Sequence, residues 1–266
     1  MNVIERINNI EDFTKKQTEI ANFLVNNPGQ VCYMSLSKLC EEANCSEVTM
    51  LNFCKKIGYK SFIDLKKDFR KYMESRITNP VHISTKSPQL DTSVDKFLQE
   101  IIQSEINHLN HLFESLDIDQ LEKISDSAIN SRYVVIIGHD TSYKIGSLLQ
   151  YRLNKLNLSA VLIDPSDLIN TEFMIGQISD EDLVIYLSFP EYYCGTEDLW
   201  KILIKQNKNI LLVTNSKDNP VAKYTDQIVI CKTDTKIFDN AWIVPLAFID
   251  ILTNIIALTL NFQEEK

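Results

Sequence analysis

Glycine is scarce in this chain, with six in 266 residues, and the glycine-rich loops that hold nucleotide phosphates are missing. The sequence contains neither the P-loop pattern nor Gly-x-Gly-x-x-Gly. It also lacks a pair of catalytic carboxylates and a nucleophile beside an obvious base. These absences argue against nucleotide-dependent and nucleophilic catalysis, and we expect no cofactor.

A metal-binding pattern is also missing. Four of the six cysteines lie near the N-terminus, without the paired close ligands of a zinc site and with no histidine among them: Cys32, Cys40, Cys45 and Cys54. We therefore expect no metal, and small buried thiols in a reducing cytoplasm.

Targeting and membrane signals are not evident either. The first ten residues do not combine a basic segment with an apolar one, so no signal peptide is expected. The most apolar stretch, Trp242–Leu260, is interrupted by Pro245, Asp250 and Asn254, which favours a buried globular helix over a membrane span. These features predict a cytoplasmic protein without a membrane partner.

Positive charge is limited and unevenly placed. The net charge is −9, yet residues 1–76 hold 12 Lys and Arg against 10 Asp and Glu, so this segment is at +2 and the rest at −11. An apolar fraction of 44% can supply hydrophobic cores. A slightly basic N-terminal segment followed by an acidic remainder favours contact with DNA through one small surface over non-specific electrostatic binding by the whole protein.

Residues 35–59 predict two short helices joined by a tight turn. Ser35 and Ser46 are good N-caps, Asn44 tolerates the left-handed conformation of a turn, and Gly58 is placed to end the second helix. This pattern fits a helix-turn-helix, with the recognition helix at Glu47–Lys56 and Met50 and Phe53 pointing inward. Two core helices of an all-α domain are the alternative.

The outer face of the second helix is predicted to meet double-stranded DNA. Asn52 is a plausible adenine reader because its amide both donates and accepts. A basic run follows, in which Ser61 caps a helix expected to carry Lys66, Lys67, Arg70 and Lys71 outward, against phosphates or simply in solvent. The predicted DNA-binding residues are Ser46, Glu47, Val48, Thr49, Asn52, Lys55, Lys56 and Lys60.

Changes in composition and in hydrophobic periodicity along the chain predict the other helices, the linker and the strands. One or two helices are expected in residues 1–28, and Pro, Ser and Thr in residues 77–93 predict a linker between domains at 1–76 and 94–266. Two helical patterns follow, the second capped by Asp119, and the first could pair with another subunit. Five apolar strands then alternate with helices, which predicts an open α/β three-layer sandwich with a five-stranded parallel sheet.

In such a sheet, ligands bind at the carboxyl ends of the strands. Three predicted strands end in hydroxyl-bearing segments, and a helix N-terminus after the first favours an anion. Ordinary helix capping is the alternative role for these hydroxyls. The predicted effector-binding residues are His139, Thr141, Ser142, Ser188, Glu191 and Thr214.

The segment SEVTMLNFCKKIGYKSFIDLK (46–66) resembles the motif of the RpiR family of bacterial transcription regulators, Ser-x-x-Thr followed by Phe-x-Lys and Gly-Tyr/Phe. The resemblance covers nearly the whole chain and implies an N-terminal helix-turn-helix domain with a C-terminal sugar isomerase (SIS) domain. Asn52 stands where the family has arginine, which alters one base or phosphate contact.

The second domain is similar to the family more loosely. The family's Gly-x-Gly-x-Ser turn corresponds to Gly138–Ser142, with Asp140 at the second glycine. Its Ser-x-Ser-Gly-x-Thr phosphate loop aligns with Ser188–Tyr193, where only the first serine is kept. Pro190 removes an amide donor and Glu191 adds negative charge, so we expect a phosphate site weakened by several hydrogen bonds of ~1.5–3 kcal/mol each.

The resemblance implies a phosphosugar effector, with Ser142 and Ser188 as ligand residues. We therefore expect a regulator that binds a double-stranded DNA operator as a homodimer or homotetramer and is not an enzyme. Two alternatives stay open. One is a SIS sugar-phosphate isomerase with Glu191 or His139 as its base, and the other is a regulator whose SIS domain only dimerises.

Overall fold

The structure is a computed structural model that describes residues 2–77, 93–190, 192–193, 195–207, 209–235 and 240–264. The chain divides into two compact units. The predicted linker falls almost wholly outside the described residues. The first unit contains six N-terminal helices, which are α1 Val3–Asn8, α2 Lys15–Asn26, α3 Pro28–Tyr33, α4 Leu36–Glu42, α5 Glu47–Lys56 and α6 Phe62–Ile77.

Side-chain caps set the starts of these short helices. Asn2 and Thr14 form capping boxes with Glu5 and Gln17, and Ser35 accepts from the amide of Lys38. The prediction for residues 1–28 missed α3, because Pro28 suggests the end of α2 and is also the first residue of the next helix. The helices share a core of Ile7, Ile20, Leu24, Val31, Leu39, Met50, Phe53, Leu65, Phe69 and Met73.

Two further helices complete the first unit, and they come from the C-terminal half of the sequence. These are α10 Leu168–Ile175 and α11 Thr196–Gln206. Helix α10 packs on α3 within this unit.

The second unit is built on a five-stranded parallel sheet, as the apolar runs predict. Its strands are β1 Val134–Gly138, β2 Ala160–Ile163, β3 Leu183–Ser188, β4 Ile210–Thr214 and β5 Ile228–Ile230. Their order is β2-β1-β3-β4-β5, and every neighbouring pair is parallel. The order reverses direction between β1 and β3, which is the switch point where open parallel sheets bind ligands.

Four long helices accompany this sheet: α7 Val94–Ser115, α8 Ile118–Asn130, α9 Thr141–Lys155 and α12 Ile243–Glu264. Helix α9 packs on β1, β2 and β3, while α12 packs on α7, α8 and α9. By length and composition alone, α12 could cross a membrane. One of its sides nevertheless lies in the core through Val244, Phe248, Ile249, Leu252 and Ile256.

The predicted cap of α8 is two residues too late. Asp117, rather than Asp119, accepts hydrogen bonds from the helix amides, and Asp119 donates its own amide to Asp117 Oδ1 at 2.9 Å. Both positions carry the same short carboxylate, so local sequence could not choose between them.

Candidate functional site

The turn between α4 and α5 forms as predicted. Asn44 has φ 49°, and the amide of Cys45 donates to the carbonyl of Cys40 at 2.8 Å, which closes α4 with a Schellman-type bond. Ser46 then caps α5 through the amide of Thr49 at 3.2 Å. At the other end of α5, Gly58 has φ 87°, where an L side chain would be strained.

Helix α5 has one buried and one exposed face. Met50, Phe53 and Cys54 are buried, whereas Val48, Leu51, Asn52 and Lys55 form an exposed row at the spacing of one helix face. Among the other predicted DNA-binding residues, the Ser46 and Thr49 hydroxyls lie 2.8 Å apart, and Lys56 binds Asp12 at 2.6 Å. Glu47 and Lys60 are exposed.

Two cations that were expected on the outer side of α6 point elsewhere. Lys66 is buried, donates to the carbonyl of Met34 at 2.7 Å, and forms an ion pair with Glu172 of α10. Arg70 binds the other oxygen of Glu172. The prediction that Lys66 and Arg70 face outward is therefore wrong, while Lys67 and Lys71 are exposed.

Two further contacts attach α11 to the N-terminal helices inside the first unit. Asp198 of α11 accepts from the amide of Gly29 at 2.8 Å, which caps α3, and Asn27 makes no side-chain cap there. A Cβ on Gly29 would lie 2.7 Å from Asp198 Oδ2, so only glycine fits. Lys205 pairs with Glu42 at the end of α4.

In the second unit, the sheet brings three predicted effector-binding residues to its carboxyl edge. Ser188 ends β3 in register with Thr214 at the end of β4, and Gly138 ends β1 beside them. Ser142 lies in the first turn of α9. Close packing requires Gly138, because a Cβ there would meet the backbone of Ser142 at 2.8 Å.

The hydroxyls at this edge are already organised by an asparagine. Asn219 is buried, and its Nδ2 donates to Ser188 Oγ at 2.9 Å and to Thr214 Oγ1 at 3.0 Å. Its Oδ1 accepts from the amide of Val221 at 3.0 Å, which fixes the orientation of the side chain. Because Ser188 accepts this bond, its own proton is left to donate to another group.

Ser142 is arranged in the same way. Its Oγ accepts from the amide of Phe189 at 3.3 Å, so its proton can also be donated outward. Asp140 precedes α9 with φ 48° and ψ −114°, a conformation that glycine normally adopts at the first central position of a type II′ turn. Lys144 lies 3.4 Å from its carboxylate.

His139, which lies between β1 and α9, contacts neighbouring side chains rather than only solvent. Its Nδ1 is 3.2 Å from Asp164 Oδ1, and its ring is tilted against Tyr193, with centroids 5.2 Å apart. Thr141 is half-buried at the start of α9, and Glu191 lies outside the described residues. Tyr192 donates to Asn215 at 2.7 Å, and burial is the first cause of the raised pKa of its phenol.

Two family models match the chain. One is described as a helix-turn-helix domain of the rpiR family and matches residues 1–76, and the other is the SIS domain, which matches residues 128–257. The chain is a member of the RpiR family. Its domains are those of an RpiR-type transcriptional regulator, as the sequence motifs predict.

Relatives of similar length agree with this RpiR membership. An HTH-type transcriptional regulator of Clostridium perfringens is 23% identical over 90% of this chain and 85% of its own length. The regulator HexR of Escherichia coli is 22% identical over 84% and 75% of the two chains. These relatives bear the names of transcriptional regulators.

Two solved structures share the fold. The sugar isomerase domain of an RpiR transcription factor from Sphaerobacter thermophilus has a TM-score of 0.56 at 17% identity and covers 62% of this chain and 91% of that chain. Vibrio vulnificus NanR, solved with ManNAc-6P, has a TM-score of 0.51 at 18% identity, with 99% and 94% covered.

Sequence reasoning missed several groups that shape this RpiR protein. Asn219, Asp164 and Tyr193 all contact predicted effector-binding residues, yet each comes from a loop without a periodic signal. Glu172 and Asp198 were missed because α10 and α11 lie about a hundred residues or more from their partners in the chain.

Proposed function

We propose that this RpiR-family regulator is a cytoplasmic protein that binds a double-stranded DNA operator through the outer face of α5. The observation that supports this most directly is the exposed row of side chains on α5, Val48, Leu51, Asn52 and Lys55. This helix begins at the Ser46 cap, directly after the turn that ends α4. Asn52 can donate to and accept from adenine, and Lys55 can neutralise a phosphate or donate to guanine. Lys60, Lys67 and Lys71 add exposed positive charge close by in the sequence.

The test is a double substitution, Asn52→Ala with Lys55→Ala, in the full-length protein. A bidentate side-chain contact to a base is worth about 1–3 kcal/mol, so together the changes should weaken binding to a selected duplex at least about ten-fold. Lys123→Ala with Asn130→Ala, two exposed residues of α8, removes the same side-chain types and serves as the control. Unchanged affinity and site preference in the first variant would refute the proposal.

We further propose that a phosphosugar-like effector binds at the carboxyl edge of the sheet between β1 and β3. Ser142 and Ser188 each accept from an amide donor and so keep a proton for an anionic oxygen. The α9 N-terminus lies at the same edge, where helix amides favour an anion. The ligand named for NanR, ManNAc-6P, belongs to the expected class.

Thermal unfolding with a panel of phosphosugars tests this effector site. A ligand at 100 times its Kd stabilises the folded state by about 2.7 kcal/mol, which is readily seen as a raised melting temperature. The corresponding sugar without phosphate is the control ligand, and Ser188→Ala should remove the shift. If no phosphosugar raises the melting temperature, the effector proposal fails, and a domain used only for assembly is favoured.

We propose binding without turnover at this edge. The relatives that match most of the chain bear the names of transcriptional regulators. The isomerase alternative would use His139, because its Nδ1 lies 3.2 Å from Asp164 Oδ1 and such a pairing would orient the ring as a base. Conversion of any phosphosugar by the purified protein, measured by following both isomers, would favour the isomerase alternative.

We also propose that the regulator is a homodimer or homotetramer assembled through α7. This helix exposes apolar side chains along its length: Val94, Leu98, Ile101, Ile102, Ile106 and Phe113. Such a face on one helix is typical of a subunit interface. Light scattering should show an oligomer that Ile102→Asp dissociates, and a monomeric parent protein would contradict this.

A further inference from the structure

The outer face of α5 is unusually apolar for a surface that meets a polyanion. Val48 is 68% exposed and Leu51 is 37% exposed, and they lie one helical turn apart on the row that continues through Asn52 and Lys55. Neither side chain belongs to the buried core of the unit. Val48 and Leu51 therefore make up two of the four side chains in the row that is proposed to enter the DNA groove.

Charge around this pair favours nucleic acid as the occupant. Lys55 stands on the same face, and the exposed Lys60, Lys67 and Lys71 follow in the sequence, whereas Lys66 and Arg70 are committed to Glu172. A major groove offers one apolar group on its base edges, the 5-methyl of thymine. Aliphatic side chains that meet base edges can therefore distinguish thymine from cytosine by contact alone.

We propose that Val48 and Leu51 are specificity-determining residues that recognise thymine methyl groups in the operator, next to an adenine read by Asn52. This inference rests on the proposed DNA-binding function and adds the class of base that the site prefers. It predicts operator half-sites in which particular thymines cannot be replaced by bases lacking the methyl.

The experiment begins with the full-length protein and a random duplex library, from which bound sequences are selected. Each thymine of a selected duplex is then replaced in turn by uracil, which keeps base pairing and removes only the methyl. Binding is measured by fluorescence anisotropy at one fixed salt concentration, because salt alone changes affinity strongly. Burying one methyl is worth ~0.8 kcal/mol, so one or two thymines per half-site should each show about a four-fold loss.

Protein variants then assign those methyls to side chains. Val48→Ala and Leu51→Ala should bind the thymine duplex more weakly, and each should lose discrimination between thymine and uracil at one position. Ile118→Ala, which truncates an exposed aliphatic residue of α8, should retain the full four-fold discrimination. The uracil series on the unaltered protein does not depend on whether the variants fold.

The possible results distinguish a failure of the thymine inference from a failure of the proposed DNA-binding function. Selected binding with no thymine sensitive to uracil would overturn the inference and leave the DNA-binding function intact. Sensitivity that persists unchanged in both variants would also overturn it. If the library yields no preferred duplex, then the proposed function and the inference both fail.

Discussion

Replacing Glu172 by glutamine should destabilise the first unit, because this carboxylate holds two cations that have little access to water. The Lys66 side chain is 9% exposed and that of Arg70 is 18% exposed, while Glu172 is 29% exposed. Arg70 Nε is also buried without an acceptor among the described residues, so the guanidinium depends on Glu172. Both cations stay charged in the variant and lose their counter-ion.

The size of the effect follows from these exposures. Removing one partner of a buried pair costs about 3–5 kcal/mol, and a hydrogen bond to a charged group contributes about 1.5–3 kcal/mol. Glutamine keeps one acceptor oxygen and Glu172 is partly solvated, so we expect about 2 kcal/mol. With a denaturant slope of about 2 kcal/mol per molar in urea, the unfolding midpoint should fall by about 1 M.

The chain offers a clean spectroscopic probe for this measurement. It has two tryptophans, and Trp200 lies buried in α11 of the first unit while Trp242 is partly exposed in the second. In a Trp242→Phe background, fluorescence therefore reports on the first unit. Glu19→Gln, which breaks an exposed pair with Lys16 in α2, is the matched control and should leave the midpoint unchanged.

The pH dependence gives a second readout of the same pair. Burial lowers the pKa of Lys66, although its bond to Glu172 opposes that shift. In the glutamine variant this opposition is gone and the pKa falls further. Since the unfolded chain then binds more protons, stability of the variant should recover as pH rises toward 10. An unchanged midpoint near neutral pH and an unchanged pH profile would refute the reasoning.

Three further changes should alter stability. Asp140→Gly relieves an L residue at φ 48° and should stabilise the second unit by about 1 kcal/mol in thermal unfolding, and a lower melting temperature would contradict the strain. Gly138→Ala places a Cβ 2.8 Å from the Ser142 backbone and should cost about 1–3 kcal/mol, where a neutral result would show that the edge can open. For Asp182, burial raises the carboxyl pKa but bonds from Arg132 and Ser179 outweigh it, so the net pKa is lowered. The stability that it contributes should be lost as pH falls below about 3.8, and Asp182→Asn should remove that part of the acid titration curve.

Local signals were enough to predict the helix-turn-helix. Ser46, Asn44 and Gly58 each act through hydrogen bonds or dihedral angles within a few residues, so their roles could be assigned before any tertiary contact was known. The same holds for the five strands, because continuous apolar runs between helices admit few sheet topologies.

Long-range partners could not be predicted in this way. Helical periodicity predicted that Lys66 lies on the outer side of α6, but its side chain binds Glu172, which is more than a hundred residues away in the sequence. At the sheet edge, topology alone brought Ser188 and Thr214 together, whereas Asn219 is supplied by a loop whose path no periodic pattern describes.

We expect the outer face of α5 to contact DNA bases directly. The most direct test places a photo-crosslinking benzophenone side chain at Leu51 in the full-length protein and maps crosslinks on a selected duplex, with the same probe at Ile118 as the control. We predict crosslinks to bases of the selected site from position 51 and none from position 118. Specific DNA binding without any crosslink from position 51 would contradict the account.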